Sequence, residues 1–152
     1  MTHEERLAAL GLVLPEIPVS VANYLPYRFA GNLLYLSGQG PVDAAGNYSL
    51  GKVGGNVSIE QAYADARLTG INLLAVARKA LGSLDRVREV VKVLGMVNAV
   101  PEFTQHPAVM NGFSDLMVDV FGEAGRHARS AVGMGSLPNG MTVEVEAILL
   151  VE

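Results

Sequence analysis

The alternation at the end of this chain constrains its fold more than any other feature. Between Thr142 and Val151, residues Val143, Val145, Ala147, Leu149 and Val151 share one face of a strand, and Glu144, Glu146, Ile148 and Leu150 share the other. A strand with one wholly apolar face needs a covering layer. Ser58 and Gln61 have the spacing of a capping box. They open a long predicted helix ending near Gly82, in which Ile59, Ala62, Ala66, Leu73, Ala77 and Leu81 fall mostly on one stripe. Pro107 suits the first turn of a second helix reaching about Phe121, with Gly122 as its terminator.

The other segments complete a two-layer pattern. Residues 27–38 read as two strand pieces around a tight turn at Gly31-Asn32. The β-branched stretch 87–98 reads as a strand interrupted by Gly95, and Arg129 to Met134 as a further strand. Thr2 with Glu5 forms another capping-box pattern, predicting a short helix over 3–10 that stops at Gly11. Pro15, Pro18 and Pro26 favour an extended, irregular connection over 12–26, and Pro41 to Asn56 should be loop. After the short helix the order is strand, strand, helix, strand, helix, strand, strand. That order predicts an α+β two-layer fold, a mostly antiparallel sheet with two helices on one face, in a single domain spanning 1–152.

Composition narrows the function. Charged residues make up 17% of the chain against the roughly 25% usual for soluble domains, and mean hydropathy is +0.31. Surplus apolar surface of this kind points to oligomerisation. With 11 basic residues among 15 acidic ones and a net charge of −4, a nucleic-acid partner is disfavoured. The absence of cysteine rules out disulfides and a thiol nucleophile. The polar start Met-Thr-His-Glu-Glu-Arg lacks the apolar core of a secretory signal, and no apolar run approaches the roughly 18 residues of a membrane span. A cytoplasmic location without membrane attachment is the expectation.

Few residues are candidates for chemistry. His3, His106 and His127 lie far apart without metal-ligand spacing, so each is expected to be an ordinary hydrogen-bonding residue, and no metal is predicted. The G-x-S-x-G nucleophile pattern is missing. Gly51-Lys52-Val53-Gly54-Gly55, Gly38-Gln39-Gly40 and Gly133-Met134-Gly135 lack the order of phosphate-binding loops, which leaves turns and close packing as their roles. Arg129, at the start of a strand among Ala128, Ser130 and Ala131, has room to grip a carboxylate through two parallel hydrogen bonds. Glu144 shares its strand face with apolar neighbours, and partial burial would raise its pKa toward general-base behaviour. The bland alternative stays open at this level: Arg129 paired with Glu144 or Glu146 within the sheet.

These residues also carry a resemblance. Ala128-Arg129-Ser130-Ala131-Val132, then Leu137-Pro138, then Val143-Glu144-Val145-Glu146-Ala147 are similar to the C-terminal signature of the Rid family, also called YjgF-like or L-PSP endoribonuclease-like. Upstream, Ser37-Gly38-Gln39-Gly40-Pro41, Pro26-Tyr27 and Asn111 match in order, so the likeness runs from about Tyr24 to the C-terminus. The resemblance implies a chorismate-mutase-like fold assembled as a homotrimer, with a small carboxylate metabolite bound in the cleft between subunits and no cofactor. It assigns Arg129 to the carboxylate of a 2-imino or 2-enamino acid and Glu144 to the attacking water, with Tyr27, Ser37, Gly38, Asn111 and Ala131 at substrate-binding positions.

Three departures mark a side branch. Ala131 stands where the family often has Cys, Arg126-His127 replaces the usual F-P, and an N-terminal extension through about residue 22 joins a longer 41–57 loop. The expected activity is hydrolysis of reactive imino and enamino acids to 2-keto acids and ammonia. The alternative is a non-catalytic protein that senses keto acids in the same cleft. Ribonuclease activity, suggested by the older family label, is disfavoured by the acidic pI of 5.3.

Overall fold

A computed structural model describes residues 1–17 and 23–152. It contains α1 (His3–Ala9), β1 (Tyr27–Ala30), β2 (Leu33–Gln39), α2 (Ile59–Leu81), β3 (Val87–Asn98), α3 (His106–Phe121), β4 (Ala128–Met134) and β5 (Val143–Val151). The element order is the one predicted. Of the three prolines in the irregular connection, Pro18 lies outside the described residues.

Local chemistry accounts for the ends of the elements. In α1 both halves of the capping box form: Thr2 accepts from the Glu5 amide at 3.1 Å, and the Glu5 carboxylate accepts from the Thr2 amide at 2.9 Å. At α2 only one half forms. Ser58 accepts from the Gln61 amide at 3.1 Å, while the Gln61 side chain donates instead to Asp65 at 2.8 Å. The 58–61 pattern therefore caps the helix without closing the box. Gly82 ends α2 in the left-handed region, and Gly31 at φ 59° turns β1 into β2.

The sheet order is β1-β2-β5-β3-β4; β5 is antiparallel to both neighbours, and β3–β4 is the parallel pair. The predicted interruption at Gly95 does not occur, since β3 runs unbroken through it. A Cβ at this position would run into the Met110 side chain of α3, so glycine here lets a helix approach the sheet. Val143, Val145, Ala147, Leu149 and Val151 are all buried under α2 and α3, where they meet Leu73, Leu81, Phe113, Leu116 and Val120. Among the described residues no helix lies over the opposite sheet face. Leu94, Met96, Ile148 and Leu150 are only half-buried there, and Tyr35 and Val132 are exposed.

The 41–57 loop is tied down at several points. Asn72 of α2 donates to the carbonyls of Gly40 and Val42, both at 3.0 Å, and isolated bridges join Val42 to Tyr48 and Leu50 to Met141. Buried Asp65 accepts from Thr142 at 2.7 Å, which anchors the entry to β5 on α2.

Candidate functional site

The strand register decides which candidates can meet. Arg129 pairs with Val93, and Val93 with Ala147, so Arg129 lies on the helix-covered face. Glu144 pairs with Met96, and Met96 with Val132, which puts Glu144 on the open face. Strand β3 also separates the two. An ion pair between Arg129 and Glu144 or Glu146 within one chain is thereby excluded, because Glu146 shares the face of Glu144.

Around Arg129 the chain gathers one half of a site. Its Nη1 donates to Asn111 Oδ1 at 3.0 Å and to Ser114 Oγ at 3.1 Å, both on α3. Nη1 carries two hydrogens, so these contacts use them both. Among the described residues no carboxylate pairs with Arg129, and the ion pairs present join Arg78 to Glu4 and Arg126 to Glu123. Among the described residues the opposite edge of the guanidinium, Nε–H beside Nη2–H, makes no hydrogen bond, and it has the fork geometry that a carboxylate fits. Ala131, two residues along β4 on the same face, pairs with Gly95. His127 completes the group: its Nε2 lies 2.8 Å from Ser114 Oγ and its Nδ1 2.7 Å from the Gly125 carbonyl. Burial pulls the His127 pKa below its usual 6.5, the Gly125 hydrogen bond opposes that shift, and the nearby Arg129 charge adds to it.

The second half lies across the sheet. Gly38 of β2 sits against the Glu144 carboxyl so closely that a Cβ there would overlap Oε2. Opposite β5, strand β2 advances three residues (Leu36 to Gln39) while β5 advances two (Ala147 to Val145). This bulge at Ser37-Gly38 turns the bare glycine toward Glu144. Burial raises the Glu144 pKa above 4.5, and the charge of Glu146 raises it further. Glu144 opens on a cavity of about 730 Å³, also lined by Ser37, Gly38, Tyr48, Pro138 and Met141. Ser37 hydrogen-bonds to the Leu25 carbonyl at 2.6 Å, which leaves its oxygen lone pairs available. Tyr27 lines an adjoining cavity of about 430 Å³ with Tyr35, Ser37 and Glu146, and its ring meets Phe29 edge-on at 6.0 Å. Arg129 lines neither cavity.

The seven sequence candidates thus fall into two groups, Arg129, Asn111 and Ala131 at the β4 edge and Glu144, Ser37, Gly38 and Tyr27 toward the β1–β2 side. One chain does not bring the groups together. Sequence reasoning missed Ser114, although it follows Asn111 by three residues on one helix face and could have been found from that spacing. It also missed Tyr48, whose place beside the cleft depends on the course of the 41–57 loop. Of the other histidines, His3 Nε2 lies 3.0 Å from the Val87 carbonyl, and His106 packs edge-on against Phe103. No helix among the described residues is long and apolar enough to cross a membrane.

A five-stranded α+β sheet covered on one side by two helices has the architecture of a chorismate-mutase-like domain. Residues 4–145 match the family described as "YjgF/chorismate mutase-like, putative endoribonuclease", and the chain belongs to this YjgF/Rid family. Protein TCP17 of Trypanosoma cruzi is 42% identical over 144 residues, covering 94% of this chain and 90% of that protein. The protein Atu1372 of Agrobacterium tumefaciens is 44% identical with a TM-score of 0.90, covering 99% of this chain and 94% of that one. RidA from a Psychrobacter species is 28% identical with a TM-score of 0.61, over 90% of this chain and 94% of its own.

Proposed function

We propose that this protein hydrolyses reactive 2-imino and 2-enamino acids in a cleft formed between copies of itself, three to a closed ring. The observation that carries the reading is the Arg129 guanidinium, held at one nitrogen by neutral acceptors while its bidentate edge has no partner among the described residues. A cation presented in that way suits a carboxylate arriving from outside. The half-site containing Glu144 would come from the neighbouring copy.

In this reading the substrate carboxylate docks on the Nε/Nη2 fork. Water adds to the imine carbon, which is electrophilic already, so that orientation and a placed water suffice. Glu144, with its raised pKa, accepts the proton of that water and returns it to nitrogen. The tetrahedral carbinolamine then collapses: its hydroxyl proton passes by way of Glu144 to the amino group, the carbon–nitrogen bond breaks, ammonia leaves, and the oxygen becomes the carbonyl of a 2-keto acid. Neither a covalent nucleophile nor a cofactor is required. The test is ammonia release from an enamine generated in situ, with Arg129→Ala as the comparison. Equal rates in the two proteins would end the assignment.

A second reading, keto-acid binding without turnover, is favoured by the separation of the half-sites, because the Arg129 half could hold a carboxylate without Glu144. Carboxylates that raise the melting temperature, with no imine turnover, would select it. The ribonuclease in the family description finds little support in a chain of net charge −4.

A further inference from the structure

We infer that Ser114 and His127 are positioning residues that fix the Arg129 guanidinium and keep its carboxylate-binding edge turned outward. This rests on the reading of Arg129 as the carboxylate clamp and goes one layer behind it. A carbonyl can only accept, so the 2.7 Å contact between His127 Nδ1 and the Gly125 carbonyl puts a hydrogen on Nδ1. In a neutral imidazole Nε2 then carries none and must accept, and the group that reaches it is the Ser114 hydroxyl at 2.8 Å. With its hydrogen directed to His127, Ser114 Oγ can offer only lone pairs to Arg129 Nη1 at 3.1 Å. Every link in this chain has one direction. Asn111 Oδ1 takes the other Nη1 hydrogen at 3.0 Å, so the guanidinium is gripped at one corner and cannot turn without breaking both bonds.

The imidazole is itself held from a third side by the Phe113 ring, edge-on at 6.3 Å. Phe113 is fully buried in the core and Gly125 is buried, so the anchor of the relay is rigid. A neutral His127 also suits the position, because a protonated one would set a second cation beside Arg129 and would have no acceptor at Nε2 for the serine hydrogen. His127, two residues before Arg129, thus takes a role that sequence alone left open.

The test has one arm that does not depend on activity. Nitrogen-15 NMR of the three histidines should show His127 as the Nδ1–H tautomer, with a pyridine-type Nε2 whose shift moves in Ser114→Ala. An Nε2–H tautomer, or no response to Ser114→Ala, overturns the inference. The second arm measures 2-ketobutyrate affinity by calorimetry and KM against kcat on the in-situ enamine. Ser114→Ala and His127→Phe should each weaken binding and raise KM about tenfold with kcat changed less, the effect expected of one charge-assisted hydrogen bond. The double variant should be no worse than Ser114→Ala alone, because both act through one relay. His127→Gln should recover most of the loss, since its amide oxygen can accept where Nε2 does. Unchanged affinity in Ser114→Ala, or equal losses in the Gln and Phe variants, refutes the positioning role. If His127→Phe fails to fold, Ser114→Ala and His127→Gln carry the test. Arg129→Ala separates the two levels: if it binds 2-ketobutyrate like wild type, or if wild type binds none, the clamp reading falls as well. If Arg129→Ala loses binding while Ser114→Ala keeps it, only the relay is wrong.

Discussion

Gly38→Ala isolates the contribution of Glu144 with a single methyl group. Gly38 is exposed and lies outside the left-handed region, so alanine is compatible with its backbone. An added Cβ would overlap Glu144 Oε2 and lie 3.0 Å from Cδ and 3.3 Å from Cγ. The obstruction is the far end of a flexible, half-exposed side chain. The carboxyl can therefore retreat, by about 1 Å, to ordinary contact distance. Moving it off its preferred rotamer costs roughly 0.5–1.5 kcal/mol. Replacing glycine where the backbone allows it stabilises by about 0.4–1 kcal/mol through the unfolded chain. The two nearly cancel, so the melting temperature should stay within about 4 °C of wild type for a chain of this length.

Activity should respond quite differently. A catalytic group displaced by about 1 Å can cost on the order of a hundredfold in rate. Affinity for 2-ketobutyrate should change less, because the ligand's carboxylate is held by the Arg129 fork and not by Glu144. The measurements are ammonia release from the in-situ enamine, calorimetric binding and thermal unfolding on one preparation. Wild-type kcat/KM at an unchanged melting temperature would refute the role given to Glu144. A fall of more than about 8 °C would refute the claim that its carboxyl retreats cheaply.

Three further outcomes are expected. Thr142→Val removes the 2.7 Å donor to buried Asp65 and should destabilise by about 1–3 kcal/mol in urea unfolding; no change would mean that the anchor of β5 is dispensable. Glu146→Gln removes a charge that raises the Glu144 pKa, so the acid limb of the kcat/KM profile should move to lower pH. Because folded Glu144 binds its proton more tightly than the unfolded chain does, stability falls as pH rises from the unfolded pKa through the raised folded one, and Glu146→Gln should flatten that decline. An unmoved limb argues against Glu144 as the base. Arg129→Lys keeps the charge but loses the fork and should weaken 2-ketobutyrate binding about tenfold, whereas equal affinity would mean that charge alone is recognised.

The sequence revealed what depends on neighbours along the chain. Helix starts at Thr2 and Ser58, the Gly82 stop and the two-residue turn at Gly31-Asn32 are local, and each is where it was expected. Alternation likewise assigned the two faces of β5. Errors began where a partner came from a distant part of the chain. Gly95 looks like a strand break until Met110 fills the space beside it, and Gln61 looks like half of a capping box until its amide nitrogen is drawn to donate to Asp65, which also accepts from Thr142. The same limit applies to the site. Parity along β4 and β5 gives two faces for each strand but not which face of one matches which face of the other. That match depends on the register both strands share with β3, so an Arg129–Glu144 pair could be excluded only from the fold.

Their opposition yields the most direct test of the proposed cleft. If each complete site takes Arg129 from one copy and Glu144 from its neighbour, Arg129→Ala and Glu144→Gln proteins are inactive alone yet carry complementary intact halves. Unfolded together in equal amounts and refolded, they assemble at random. A given site then draws its arginine from the Glu144→Gln chain half the time and its glutamate from the Arg129→Ala chain half the time. About one quarter of wild-type activity should return. The apolar open face of the sheet gives the physical reason to expect such assembly, because Tyr35 and Val132, exposed by 43% and 39% in the single chain, would be covered by neighbouring copies. A neighbouring copy that brought its Glu144 half-site up to the β4 edge would also shield the guanidinium edge from bulk water and so strengthen its attraction for a carboxylate. A mixture that forms mixed oligomers yet stays inactive would mean that the two halves never belong to one site.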